Sequence, residues 1–249
     1  ALILNATVVM KSPGIPDKAP IVKKLVEKGI SVISEIEFTA PFTNAITIGI
    51  TGSNGKTTTT MLTYHLLKNA GLNVALGGNI GKSFAWQVAE HNYDVYVLEL
   101  SSFQLDGIIN YKPHIAILTN ISPDHLDRYE YKYENYIASK FRITMNQTVS
   151  DYLIYDADDE ATQEWLKHNT TKAQLIPFSI SHTLDLGAFL KDNNMEVKMN
   201  QEEFSMETEY IALEGKHNMK NAMAATSVAK LMQIRNATIR ESLSNFQGV

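Results

Sequence analysis

Gly49-Ile50-Thr51-Gly52-Ser53-Asn54-Gly55-Lys56-Thr57-Thr58-Thr59 is the stretch whose reading decides the fold. An apolar run, Ala45 to Ile50, precedes it. A helical pattern follows, with Leu62, Leu66 and Ala70 on one face. Strand, glycine loop and helix in that order are the layout of a phosphate-binding loop. Gly52 and Gly55 let successive backbone N–H groups turn inward with no Cβ in the way. A helix opening near Lys56 adds the positive end of its dipole. Lys56 can then reach β- and γ-phosphates, and the Thr57 hydroxyl can ligate Mg²⁺. The spacing departs from the strict motif, because Ile50 stands where the first glycine belongs. On its own the loop implies nucleotide phosphates and leaves the reaction open.

Composition bounds the rest. The 249 residues suffice for one large domain or two modest ones. With 44% hydrophobic and 20% charged residues, the chain has the balance of a globular protein. A formal net charge of −5 argues against non-specific nucleic-acid binding. The absence of cysteine excludes a disulfide framework and thiol chemistry, and fits a cytoplasmic protein. No apolar run is long enough to span a membrane.

The chain in order reads as an α/β protein. Leu2 to Met10 reads as a strand, Ser12 to Pro16 as a turn, and Ala19 to Lys28 as a helix stopped by Gly29. Ile30 to Ile33 is a short strand, Glu35 to Thr39 a helical turn, and Pro41 to Asn44 a linker. From Ala45 strands and helices alternate regularly. Val95 to Leu98 and Ile115 to Leu118 are continuous apolar runs, as in a sheet buried on both faces. Residues 179–213 alternate more and turn at Asp192-Asn193-Asn194, so they read as peripheral antiparallel strands. His217 to Met232 is a helix with methionines as core filling. Ile239, Leu243 and Phe246 suit one more helix. The expected fold is a mostly parallel sheet with helices on both faces and a small peripheral antiparallel sheet. Its ligands belong at the carboxyl ends of the strands.

Several residues at those ends could carry chemistry. Glu99 follows four apolar residues, so it is buried and needs a partner; a Mg²⁺ ion at the phosphate loop is the favoured one. Ser101-Ser102-Phe103-Gln104 reads as a helix cap. His125, in the polar stretch Asn120 to Asp127, is either a solvated loop residue or a ligand for a cation or anionic intermediate. Lys140 reads as a structural or solvated lysine on an amphipathic helix. Asn218 and Asn221 share a helix face and either cap it or touch a base.

Taken together, these segments resemble the ATP-dependent Mur ligases of peptidoglycan precursor synthesis. The resemblance rests on Thr51 to Thr58, Gly78-Asn79-Ile80-Gly81, and Asn120 to Tyr129. Ala138-Ser139-Lys140-Phe141-Arg142 and Gly215-Lys216-His217-Asn218 through Ala222 add to it. Glu99-Leu100-Ser101-Ser102-Phe103-Gln104-Leu105 looks like the D-glutamate-adding branch. The resemblance implies that ATP phosphorylates the terminal carboxylate of UDP-N-acetylmuramoyl-L-alanine, and that the D-glutamate amine attacks the acyl phosphate. It implies ATP contacts at Gly52, Ser53, Asn54, Gly55, Lys56, Thr57 and Thr58, with Asn218 and Asn221 near the adenine. Mg²⁺ would involve Thr57, Glu99, His125 and Lys140, the last as a carbamate formed with CO₂. Asn79, Ser12 and Gly14 would line the UDP-sugar substrate.

The same resemblance implies a domain plan. Residues 1–43 match the last part of a UDP-binding N-terminal domain, and 44–249 the central ATP-binding domain. A chain opening at Ala1 and stopping at Gly248-Val249 then reads as a piece of a longer enzyme, expected to be inactive in ligation alone, cytoplasmic and monomeric. Two alternatives stay open: another ADP-forming amide ligase such as a folylpolyglutamate synthetase, or a P-loop switch or binding module with no amide product.

Overall fold

The computed structural model describes residues 2–199 and 202–248. Ala1 and Val249, the ends noted above, lie outside the described residues. Two sheets organise the chain. In the smaller, β1 (Val8–Met10) pairs in parallel with β2 (Ser31–Ile33), and α1 (Pro20–Glu27) crosses between them on buried Val22 and Leu25. The strand expected over Leu2 to Met10 is therefore shorter. Leu2–Asn5 is a 3-10 turn, because the partner strand offers only three residues and Leu2, 90% exposed, has nothing to pack on.

The short helix α2 (Glu35–Thr39), capped by Ser34, docks onto the larger body through two carboxylates. Glu35 Oε1 accepts from Ser83 Oγ and the Ala85 N–H at 2.6 and 2.9 Å. Glu37 accepts the consecutive backbone N–H groups of Ile109, Asn110 and Tyr111 at 2.8–3.0 Å. Ile36 between them is fully buried. The stretch read as a linker begins inside a second 3-10 turn, Ala40–Phe42.

The larger sheet has nine strands. Its first part runs β3 (Ile46–Thr51), α3 (Lys56–Asn69), β4 (Val74–Gly78), α4 (Phe84–Glu90), β5 (Val95–Glu99), α5 (Ser102–Asp106), β6 (Ile115–Leu118) and α6 (Tyr133–Phe141). It continues with β7 (Tyr152–Asp156), α7 (Glu160–His168), β8 (Gln174–Ser179), β9 (Gly187–Lys191), β10 (Asn194–Met199), β11 (Glu202–Glu207), α8 (Lys216–Leu231) and α9 (Asn236–Asn245). Spatial order is β11-β10-β9-β8-β7-β6-β3-β5-β4, parallel from β4 through to β9. Strand β3 lies between β5 and β6, so the chain winds first one way and then the other from it. The carboxyl end of β3 is the switch point where such sheets bind ligands.

Both faces are covered, as the apolar runs required. Val95 and Val97 of β5 join Ile48 and Ile50 in a core under α3, α8 and α9. Tyr96 and Leu98, pointing the other way, join Ile36, Phe84, Leu105 and Phe141 beneath the remaining helices. Helix α8 is buried almost all round from Asn221 to Lys230, and Ala222, Ala225 and Ala229 bring it close to the sheet and to α3.

The antiparallel strands expected at the periphery form the edge of the nine-stranded sheet. β10 is antiparallel to β9 and β11, but β9 pairs in parallel with β8. Gly187 permits the join. Its φ is +105°, and a Cβ there would overlap the Pro177 carbonyl oxygen of β8. Gly187→Ala therefore combines backbone strain with a clash against a fixed carbonyl. We expect a loss of about 3 kcal/mol in urea denaturation; a loss below about 0.5 kcal/mol, the scale of an ordinary surface change, would contradict this packing.

Candidate active site

The phosphate loop leaves β3 at the switch point and enters α3 with Gly55 left-handed at φ +79°. A second loop, Thr119 to Asn120 after β6, braces it. Asn54 N–H donates to Asn120 Oδ1 at 3.0 Å, while Asn120 Nδ2 and Thr119 Oγ1 donate back to Asn54 O at 3.0 and 2.7 Å. Ser53 Oγ donates to Ser122 O and accepts the Ser122 N–H, both at 2.9 Å. These polar neighbours hold the loop's shape through bonds to both chain and side chain.

Two lysines converge on one loop carbonyl. Lys56 Nζ donates to Gly52 O at 2.8 Å and Ser53 O at 2.9 Å. Lys140 Nζ, from α6, donates to the same Gly52 O at 2.8 Å. Lys140 is 2% exposed and lies 5.1 Å from the centroid of the Tyr136 ring, one helical turn before it. Burial, aided by the neighbouring Lys56 charge, pulls the Lys140 ammonium down to about 7. Burial lowers Lys56 as well, against the opposing pull of Glu99 and Asp124. The solvated-lysine reading of Lys140 is thus corrected: its helix faces inward there, between the loop and the α5–α6 packing.

Glu99 ends β5 and is 2% exposed. Its Oε2 accepts the Thr57 hydroxyl at 2.8 Å, and its Oε1 accepts Asn79 Nδ2 at 2.9 Å. One carboxylate thereby joins the phosphate loop to the second glycine loop, whose Asn79 N–H also donates to Glu99 O at 2.8 Å. Ser101 caps α5 in a reciprocal capping box with Gln104, as its residue type suggested.

Other candidates sit further out. His125 is exposed and left-handed at φ +50°. Its ring lies 3.5 Å from Asp124 Oδ2 and 5.3 Å, centroid to centroid, from Phe103. Ser12 and Gly14 occupy the turn after β1, which meets the His125 loop where Arg128 donates to Pro13 O at 3.4 Å. Asn218 and Asn221 do not cap α8; Gly215 is the N-cap, with no side-chain cap bond. Asn221 is buried, accepts Thr59 Oγ1 at 3.1 Å, and donates to Asn218 Oδ1 at 3.3 Å. Thr58 is half-buried in the turn of α3 that bears Thr57.

Residue-level reading missed Thr119, Asn120, Ser122 and Tyr136. The i, i+4 spacing of Tyr136 and Lys140 was the available signal for the last. No group of three His, Asp or Glu side chains gathers among the described residues. Thr57 and Glu99 nevertheless place two hard oxygens beside the phosphate loop. That suits Mg²⁺, which keeps waters and takes phosphate oxygens rather than demanding a full protein cage.

With the geometry in place, comparison with known proteins is direct. Residues 50–229 match the family model of the Mur ligase middle domain. The chain is 62% identical over 247 residues to a protein of Christiangramia forsetii named UDP-N-acetylmuramoylalanine–D-glutamate ligase, covering 99% of this chain and 56% of that one. It is 52% identical over 249 residues to the protein of the same name from Bacteroides thetaiotaomicron, covering all of this chain and 56% of the relative. The chain thus spans little more than half the length of these relatives. Among solved structures, a UDP-N-acetylmuramate:L-alanyl-gamma-D-glutamyl-meso-diaminopimelate ligase from Neisseria meningitides aligns with TM-score 0.70 at 18% identity, over 98% of this chain and 80% of that one. The UDP-N-acetylmuramate–alanine ligase of Thermotoga maritima aligns with TM-score 0.62 at 22% identity, over 98% of this chain and 55% of that one. At such identities these two show a shared fold.

The contact between Gly55 and α8 generates a stability test. A Cβ on Gly55 would lie 2.5 Å from Asn221 Oδ1, on top of the strain of φ +79°. Gly55→Ala should cost about 3 kcal/mol in the wild-type background and about 1–2 kcal/mol when Asn221 is also alanine, since only backbone strain then remains. Urea denaturation of the four proteins measures the cycle. Additive losses would show that Asn221 does not press on the loop.

Proposed function

Because this chain belongs to the Mur ligase family, we propose that it carries the phosphoryl-transfer site of an ATP-dependent ligase joining D-glutamate to UDP-N-acetylmuramoyl-L-alanine. One observation supports this reading above the rest. Glu99 is buried between the Thr57 hydroxyl of the phosphate loop and the Asn79 amide of the second glycine loop. Nucleotide-facing and acceptor-facing loops are thus tied to one carboxylate. The names of the high-identity relatives favour D-glutamate addition over a folylpolyglutamate synthetase or a P-loop switch.

The residues would act as follows. Loop N–H groups from Gly52 to Thr58 cradle the ATP phosphates, with Asn218 and Asn221 on the adenine side. Lys56 leaves its two loop carbonyls for the γ-phosphate and follows the charge as it moves to the carboxylate oxygen of the acceptor. The products of that step are ADP and an acyl phosphate. The D-glutamate amine then adds to the acyl carbon, and the tetrahedral adduct expels phosphate and loses a proton to give the amide. Thr57, Glu99, His125 and a carbamylated Lys140 would hold Mg²⁺, which supplies charge neutralisation at the transferring phosphoryl group. Asn79 and the Ser12–Gly14 turn would line the UDP-sugar acceptor. Residues 1–43 would belong to the UDP-binding domain and 44–249 to the ATP-binding domain.

Cytoplasmic location and a monomeric state accompany this reading. Among the described residues no helix is long and apolar enough to cross a membrane. A net charge of −5 weighs against nucleic acid as a partner.

Activity tests the assignment directly. In a protein of the relatives' length that contains this chain, ATP, Mg²⁺, UDP-N-acetylmuramoyl-L-alanine and D-glutamate should yield ADP and the dipeptide product, followed by mass. Glu99→Ala should lower turnover on the order of 10²-fold or more. Product formed with another amino acid but not D-glutamate, or near-normal turnover in the variant, would sink it. The 249-residue chain alone should make no amide, since three reactants must be held in register.

Lys140 has its own test. Carbamylation joins a neutral amine to CO₂ with release of one proton, so it needs the deprotonated lysine. The lowered value makes that form dominant above about pH 7, whereas an ordinary lysine stays protonated until about 10.5. With ¹³C-bicarbonate, a carbamate resonance should grow from pH 6 to 8 and be missing in Lys140→Arg. A resonance unchanged by that substitution, or none at pH 8, would refute the carbamate.

A further inference from the structure

Lys220 lies near the start of α8, one residue before Asn221, and faces the carboxyl ends of β7 and β8. Its ammonium donates to Asp156 Oδ2 at 2.7 Å and lies 3.2 Å from Asp158 Oδ2. Asp156 is the last residue of β7 and is 3% exposed. Its Oδ1 accepts the Asp158 N–H at 2.9 Å. Asp158 in turn accepts Ser179 Oγ at 2.6 Å and the Ile180 N–H at 2.9 Å. The two carboxylates are therefore fixed to the ends of two strands before the lysine reaches them.

The packing of α8 explains what this triad adds. Ala222, Ala225 and Ala229 set how closely the helix approaches its neighbours. Met219, Met223 and Val228 pack the same helix into the core, and polar contacts near its start add directional restraints on its axial position. Asn221 provides one, against Thr59 and the space over Gly55. Lys220 provides the other, against Asp156 and Asp158 at the ends of β7 and β8.

We propose that Lys220 is a positioning residue for the nucleotide: by tying α8 to the Asp156–Asp158 pair, it holds Asn221 against the phosphate loop. The inference rests on reading that loop as the nucleotide site. Loss of the tie lets α8 shift, Gly55 loses its wall, and the loop N–H groups no longer present one fixed cradle to the phosphates.

Mg·ATP titrated calorimetrically into the chain tests it. Lys220→Met alone strands a buried carboxylate and risks misfolding, so the main variant is Lys220→Met with Asp156→Asn. That double variant should fold and bind Mg·ATP about tenfold more weakly, a change of about 1.4 kcal/mol. Lys220→Arg, which keeps the charge and its reach to both carboxylates, should bind within about twofold of wild type. Gly187→Ala, destabilised on the far side of β8, should melt lower yet bind normally; this separates positioning from general stability. A folded double variant with wild-type affinity overturns the inference. So does a loss of affinity in Gly187→Ala that matches the double variant. A wild-type chain that takes up no Mg·ATP overturns the phosphate-loop reading and the inference with it.

Discussion

A carboxylate buried at the end of β5 constrains everything around it. At 2% exposure the Glu99 carboxyl needs hydrogen-bond partners for both of its oxygens. Thr57 satisfies one and Asn79 the other, at 2.8 and 2.9 Å. Each partner sits on a different glycine loop, so both loops must approach the same strand end. For the first loop this fixes where α3 starts. For the second, Gly78 runs so close to the Glu99 backbone that a Cβ would overlap it. The polar edge of the sheet is thus assembled around one side chain, while the continuous apolar runs of β5 and β6 merely hold the strands in line.

Helix α8 is the counterweight on the other face. It is polar near its start, at Asn218 and Asn221 by the loop and at Lys220 by the ends of β7 and β8, and mostly apolar beyond, where Ala222 to Ala229 fill the gap beside α3. The methionines beside them, Met219 and Met223, fit irregular space that branched residues would not. A chain segment whose Asn221 lies 162 residues from Thr59 in sequence therefore completes the loop's shape. Such long-range closure is possible because the parallel sheet leaves its carboxyl edge open to whichever helix returns there.

Much of this was legible in residue order. Alternation of strands and helices follows from buried apolar runs such as Val95 to Leu98. The Ser101 cap follows from the serine and the glutamine three residues later. Burial of Glu99 follows from the four apolar residues before it. What could not be read was pairwise. Residues 187–191 carry no mark showing that they pair with β8 rather than only with β10; Pro177 and Gly187 had to be seen in contact. Lys140 looked like a lysine on an amphipathic helix, because periodicity says nothing about a buried charge whose acceptor, Gly52 O, lies 88 residues away. The resemblance to a ligase family singled it out where physical pattern did not. Residue type left Asn221 between a helix cap and a base contact for the same reason: its neighbours, Thr59 and Gly55, lie outside any local window.

Gly52 O accepts from two lysine Nζ atoms at 2.8 Å each. A phosphate loop attracts anions in general, inorganic phosphate among them. Here the loop's lysine is already satisfied by the loop's own carbonyls, so an arriving anion must repay two hydrogen bonds before it gains one. A lone phosphate offers little in exchange. On the proposed reading, a nucleoside triphosphate would bring further contacts along the loop and beside α8, and so would clear the threshold. On that reading the self-bonded lysine would act as an affinity filter, lowering apparent binding for every anion by the same factor and favouring multivalent ligands.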